Sequence, residues 1–203
     1  MFEGKEEDPK QSVAKAVAIV ESYKQLKIPN DQAISCHSKN RQPVWTTPPS
    51  ECFKVNVDVA INVPNQKAGL GAVIRNFSGR VVAAAVQRVA YRGNVACVEA
   101  EAMLLGIQSA EQADCFPRII ESDSKEVVDL SLNKKSSKTE ISWKITEIQA
   151  RMKNQNSSSI TYVPRGCNYI AHFIAKVALD FESQVLWLEN FSEQIMCLFS
   201  NFT

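Results

Sequence analysis

Apolar and polar positions alternate from Phe53 to Ile61, with Val55, Val57 and Val59 on one face and Lys54, Asn56 and Asp58 on the other. That period of two predicts a strand with one packed face and one face turned to a site. An aspartate near the C-terminal end of such a strand is costly to bury unpaired, so it requires either solvent or a cation opposite it. Two more strand-like runs follow, GLGAVIRN from Gly69 and RVVAAAVQRV from Arg80, separated by the turn residues Asn76 to Gly79. Short apolar runs joined by a Gly-containing turn predict a hairpin, so the domain opens with three consecutive antiparallel strands.

From Val95 to Ala113 the period becomes helical, with Val98, Ala102, Leu105 and Ile107 on the apolar surface. Pro117 ends the connection. Arg118 to Asp123 then reads as a short strand, Ser124 to Leu132 as a short helix, and NKKSSK from Asn133 as a polar loop. Ile141, Ile145, Ile148 and Met152 mark another helix, SSSITYVP a last strand, and Ile170, Ala171, Ile174, Ala175 and Ala178 the stripe of a final core helix. The order βββαβααβα predicts an α/β fold with a five-stranded mixed sheet, three antiparallel strands then two parallel, flanked by helices. A crossover would lay the fourth strand parallel to the first, which places the ends that carry Asp58 and Asp123 side by side.

Outside this core, residues 1–48 read as an N-terminal helix and linker. Val13, Val17, Ile19, Val20, Tyr23 and Leu26 form a partly amphipathic pattern, Pro29 ends it, and Asn30 to Ser50 is linker-like in composition. The main domain is expected at 49–180. Residues 181–203 read as a helical tail whose apolar positions, from Leu186 to Phe199, cover the core.

The composition changes little in this picture. Of 203 residues, 45% are apolar and 22% charged, which is ordinary for a globular chain, and the net charge of +1 weighs against a tight non-specific duplex binder. Neither a signal-peptide pattern nor an apolar run of about 18 residues occurs, so a soluble intracellular protein is expected, with no membrane association and with cytoplasm and nucleus undistinguished. Cys36, Cys52, Cys97, Cys115, Cys167 and Cys197 are scattered without a CxxC pair, and only two histidines accompany them. They read as reduced thiols rather than a zinc site.

Three acidic positions carry the candidate chemistry: Asp58 on the first strand, Asp123 at the end of the fourth, and Glu99 in the first turns of the long helix. Carboxylates converging on one sheet end repel, and a divalent cation between them relieves that repulsion. Ligands that are all oxygen select magnesium or manganese over zinc.

The blocks NVDVAI, GLGAVIRN, VEAEAMLLGI, ESDSKEVVDL and VPRGCNYIAHFIAK, spanning roughly Trp45 to Asp180, resemble the plant-type ribonuclease H-like domain, a type-1 RNase H family derived from non-LTR retrotransposons. The resemblance implies that Asp58, Glu99 and Asp123 are catalytic and metal-binding, holding two magnesium or manganese ions. Glu99 rather than Glu101 matches because Ala102 and Gly106 stand at the family's spacing from it, which leaves Glu101 on a solvent face. It further implies a monomer that hydrolyses the RNA strand of RNA/DNA hybrids, with Arg165 and Ser124 as substrate contacts. Two positions depart from the pattern. His172 stands where bacterial and retroviral members have a fourth aspartate, four residues after Asn168, and is expected to act in catalysis by moving protons. Val59 stands where many members have glycine. Lys134, Lys135 and Lys138 are the only compact basic run in the core, so weak, salt-sensitive hybrid binding is expected. The alternative is a non-catalytic retroelement-derived module that binds nucleic acid, or a protein through the N-terminal helix or the apolar tail.

Overall fold

The alternating run becomes the centre of a six-stranded sheet. In the computed structural model, which describes residues 44–133, 140–153 and 158–188, β1 (Phe53–Asn62), β2 (Lys67–Arg75) and β3 (Val81–Ala90) form an antiparallel meander. β4 (Arg118–Ser122) pairs parallel with β1, and β5 (Ser159–Tyr162) parallel with β4. At the other edge β6 (Val185–Leu188) pairs antiparallel with β3, giving the order β5-β4-β1-β2-β3-β6.

The sixth strand corrects the expected five-stranded sheet, and it replaces helix with extended chain at Val185–Leu188. Without β6 the outer edge of β3 would present unpaired backbone groups, and four ladder partners from Ala83 to Val86 satisfy them. Phe181 holds the chain on course, meeting the Trp187 ring edge-on at 5.7 Å. The N-terminal helix, the lysine loop and the remainder of the tail fall on 1–43, 134–139 and 189–203, outside the described residues.

Four helices follow from the helical periods: α1 (Val95–Gln112), α2 (Lys125–Ser131), α3 (Ile141–Lys153) and α4 (Tyr169–Ala178). Side chains alternate across a strand, so Val55 and Val57 with Leu70, Ala72 and Ile74 line one sheet face, which α1 covers. Burial of α1 extends beyond its predicted stripe to Met103, Leu104 and Ala110, because α3 packs on it from the far side. The other sheet face is covered by α4 through Ile170, Ile174, Ala175 and Ala178. Lys54, Asn56 and Asp58 lie on that face, and all three are buried. The polar side of β1 is thus mostly sealed, where alternation alone predicted an open one. No helix of the described residues is long and apolar enough to cross a membrane.

How closely α4 approaches is set by glycine. Gly71 is the partner of Asp58 in the β1–β2 ladder. A Cβ on Gly71 would stand 2.8 Å from the Ala171 carbonyl oxygen and 2.9 Å from Ala175 Cα. Both contacts are with helix backbone, which cannot swing aside. Gly71→Ala is therefore expected to cost about 1–3 kcal/mol in urea denaturation. Gly166→Ala, where an added Cβ meets nothing within 4 Å, is expected to stay within about 0.5 kcal/mol of the parent.

Candidate metal centre

Asp58 lies within β1, which continues to Asn62, rather than at its end. What ends beside it is the parallel ladder. The last β1–β4 pair is Val57 with Ser122; the next residues are Asp58, still on β1, and Asp123, just past the end of β4. Two carboxylates therefore emerge together where the backbone pairing stops. The third, Glu99, stands in the second turn of α1, whose start is set by Asn94: its Oδ1 accepts the Cys97 N–H at 3.1 Å. Among the described residues, Asp58, Glu99 and Asp123 each offer an oxygen, and these oxygens lie within 4.8 Å of one another.

The three are not equivalent. Asp58 is buried; its Oδ1 accepts the Val59 N–H at 2.8 Å, and its Oδ2 lies 2.8 Å from His172 Nδ1. A carboxylate can only accept, so Nδ1 carries the hydrogen. Glu99 has no such support, and its Oε2 is buried without a hydrogen-bond partner. Burial, and then the charges of Asp58 and Asp123, push the Glu99 carboxyl up to about 8, against the opposing pull of Arg165. Asp123 is also raised, first by burial and then by Asp58, with Arg165 and Asn168 acting the other way. An orphaned carboxylate oxygen facing two more carboxylates fits a hard divalent cation, which would satisfy all three donors at once.

The remaining candidates sit around this cluster. Arg165 is exposed, in a 3-10 turn (Arg165–Cys167) that leads into α4. Ser124 occupies the N-cap of α2 without a capping hydrogen bond from its hydroxyl; its N–H donates to Ser122 Oγ at 3.1 Å. Glu101, expected on a solvent face, keeps a third of its side chain exposed and also pairs with Lys144 of α3 at 2.9 Å. Sequence reasoning used Asn168 only as a spacing mark and passed over Arg75 and Glu121. Asn168 donates to the Val57 carbonyl at 2.8 Å and faces Asp123 Oδ1 at 3.4 Å. The available signal was the polar series Lys54, Asn56, Asp58, which needs buried partners once its face is covered.

Comparison with known proteins places this geometry. Residues 56–178 match the reverse transcriptase-like protein family. No curated protein sequence matches the chain. Among solved structures, RNase H1 from the archaeon Halobacterium salinarum superposes with a TM-score of 0.58 at 21% identity, covering 63% of this chain and 97% of that one. The N-terminal RNase H domain of a Mycobacterium tuberculosis protein gives 0.57 at 22% identity, covering 63% and 93%. LC11-RNase H1, solved with an RNA/DNA hybrid, gives 0.56 at 15% identity, covering 63% and 96%. The fold is the RNase H fold.

The Glu99 shift has a thermodynamic signature. The folded protein keeps that proton up to about pH 8, whereas the unfolded chain releases it near the ordinary 4.5. The native state thus binds more protons between those values, and metal-free stability falls as pH rises through that window. Glu99→Gln is expected to flatten this slope and to stabilise the metal-free protein at pH 8 by about 1–3 kcal/mol, the cost of one unsatisfied buried group. Urea melts across pH 5 to 9 in chelator check this, and added manganese should stabilise the parent far more than the variant.

Proposed function

Because the chain belongs to the reverse transcriptase-like family and gathers three carboxylates at one end of an RNase H-like sheet, we propose that it is a metal-dependent endonuclease that cuts the RNA strand of RNA/DNA hybrids. The observation that carries this reading is the buried, unpartnered Oε2 of Glu99 beside Asp58 and Asp123. A protein with no use for a cation gains nothing from that arrangement, since each carboxylate raises the cost of the others. The RNA/DNA hybrid bound by LC11-RNase H1 supports the choice of substrate.

Asp58, Glu99 and Asp123 would hold two magnesium or manganese ions. When bound, the ions supply a more acidic water and charge neutralisation at the phosphodiester. In the hydrolysis, the water oxygen joins phosphorus, the bond from phosphorus to the ribose 3′ oxygen breaks, and that oxygen leaves with a proton. Products carry a 5′ phosphate and a 3′ hydroxyl. His172 gives its Nδ1–H to Asp58, which leaves Nε2 as the ring atom that takes or gives a proton. Arg165, exposed and close enough to act on Glu99 and Asp123, is the cation that meets the phosphate. The Ser124 hydroxyl, uncommitted to capping and adjacent in sequence to Asp123, contacts the RNA strand. Selection of RNA rests on 2′-hydroxyl contacts.

The test is cleavage of a labelled hybrid by the purified chain in magnesium and then in manganese, with single-stranded RNA and duplex DNA alongside. Hybrid-specific cutting is expected, lost in chelator and in Asp58→Asn. His172→Ala should retain metal binding, lose about 10²–10⁴ in rate, and lose one limb of the pH–rate profile. A folded protein that cuts no hybrid in either metal would overturn the enzymatic reading in favour of a non-catalytic nucleic-acid-binding or interaction module.

A further inference from the structure

Beneath the carboxylates runs a hydrogen-bond chain whose direction is dictated by its ends. Arg75 Nη2 donates to Asn56 Oδ1 at 2.7 Å. Asn56 Nδ2 donates to Asn168 Oδ1 at 3.1 Å and to Glu121 Oε2 at 2.9 Å. Asn168 Nδ2 donates to the Val57 carbonyl at 2.8 Å and points its other hydrogen at Asp123 Oδ1, 3.4 Å away. Arg75, Asn56, Asn168 and Glu121 are all buried, so each depends on the others in place of solvent.

A guanidinium only donates, and an ionised carboxylate only accepts. Arg75 therefore forces the oxygen of Asn56 toward itself and the amide nitrogen toward Asn168. Asn168 must then receive through its oxygen and offer its nitrogen to Asp123. Reversal of either amide would set nitrogen against nitrogen or carbonyl against carboxylate among largely buried groups, where the mismatch is costly.

The start of the chain is itself held. The Arg75 guanidinium carbon lies 3.2 Å from the centre of the Trp45 ring, and Trp45 Nε1 donates to Glu121 Oε2 at 2.9 Å. Lys54 pairs with the other Glu121 oxygen, Oε1, at 2.8 Å. Burial lowers Arg75 only to about 10, so it remains a cation at neutral pH. The final link, long for an N–H···O bond, steadies one oxygen of Asp123 without claiming the whole carboxylate, which leaves its remaining lone pairs for an ion.

We propose that Arg75 is a positioning residue for the metal centre, acting through Asn56 and Asn168 to present a donor to Asp123 and thereby setting the affinity of the cluster for a divalent cation. The inference rests on the metal-site reading above. A merely structural network would change the stability of the protein but not the manganese affinity of the molecules that remain folded.

Manganese binding to the full chain, measured by calorimetry well below the melting temperature, separates these roles. Arg75→Met keeps the apolar stem beneath Trp45 and removes the donor; it is expected to weaken manganese binding by about 10–100-fold. Arg75→Lys restores a buried donor and should recover most of the loss. Asn168→Leu, which removes the last donor without adding charge, should weaken binding at least as much as Arg75→Met. Ile148→Ala, in the core on α3, should lower stability yet leave the affinity within about twofold. Unchanged manganese affinity in folded Arg75→Met would overturn the inference. Should that variant fail to fold, the parent decides through nitrogen NMR: slowly exchanging, inequivalent Asn56 and Asn168 amide hydrogens support the chain, and rapidly exchanging ones overturn it. Loss of manganese binding in the parent, or its retention in Asp123→Asn, would instead remove the metal-site reading itself.

Discussion

Lys54, Asn56 and Asp58 stand in a row on the face of β1 that α4 covers, and the rest of the structure depends on their burial. A charged or amide side chain taken out of water is tolerated only when a partner replaces the solvent. Those partners come from different elements: Glu121 of β4 for Lys54, Arg75 of β2 for Asn56, and His172 of α4 for Asp58. Satisfying one strand's polar row therefore ties the sheet, the last helix and the segment at Trp45 into one arrangement. Apolar packing on the α1 face supplies most of the hydrophobic burial, but it does not dictate which polar groups meet.

Along that row the electrostatic character changes. At the Trp45 end, Lys54 pairs with Glu121, Arg75 is held by Asn56, and an aromatic ring closes the group over. At the other end, three carboxylates converge, and among the described residues the exposed Arg165 is the cation that opposes the upward shifts of Glu99 and Asp123. The Trp45 end, with each of these groups bonded, is costly to disturb. The unbalanced end is costly as it stands and becomes favourable with a cation. Local inconsistency of this kind, inside an otherwise satisfied fold, is expected where a site has been built.

Much of this was legible in the chain. Periods of two and 3.6 located β1 to β5 and all four described helices, because each element buries an apolar side whose spacing is set by its own geometry. The convergence of Asp58 and Asp123 followed from a crossover rule that constrains parallel strands. Val185–Leu188 was misread because a four-residue apolar run has no periodicity, and its strand state depends on an open edge at β3 far away in sequence. The Lys144 partner of the partly exposed Glu101 was invisible for a similar reason: whether a polar helix position also meets a lysine depends on where α3 packs.

By itself, the amino-acid order determined the elements, the mixed sheet and the meeting of Asp58 with Asp123, since these rest on local spacing and on steric rules that hold for every chain, while Glu99 was singled out from Glu101 through the family resemblance. Only the tertiary structure decided that the polar face of β1 is buried, that Gly71 admits α4 close enough for His172 to reach Asp58, and that Arg75 connects to Asp123 through two asparagines. The physical reason is range. Hydrophobic periodicity is written within a few residues, whereas a hydrogen bond is made or lost within an ångström, between groups up to 114 positions apart in the chain.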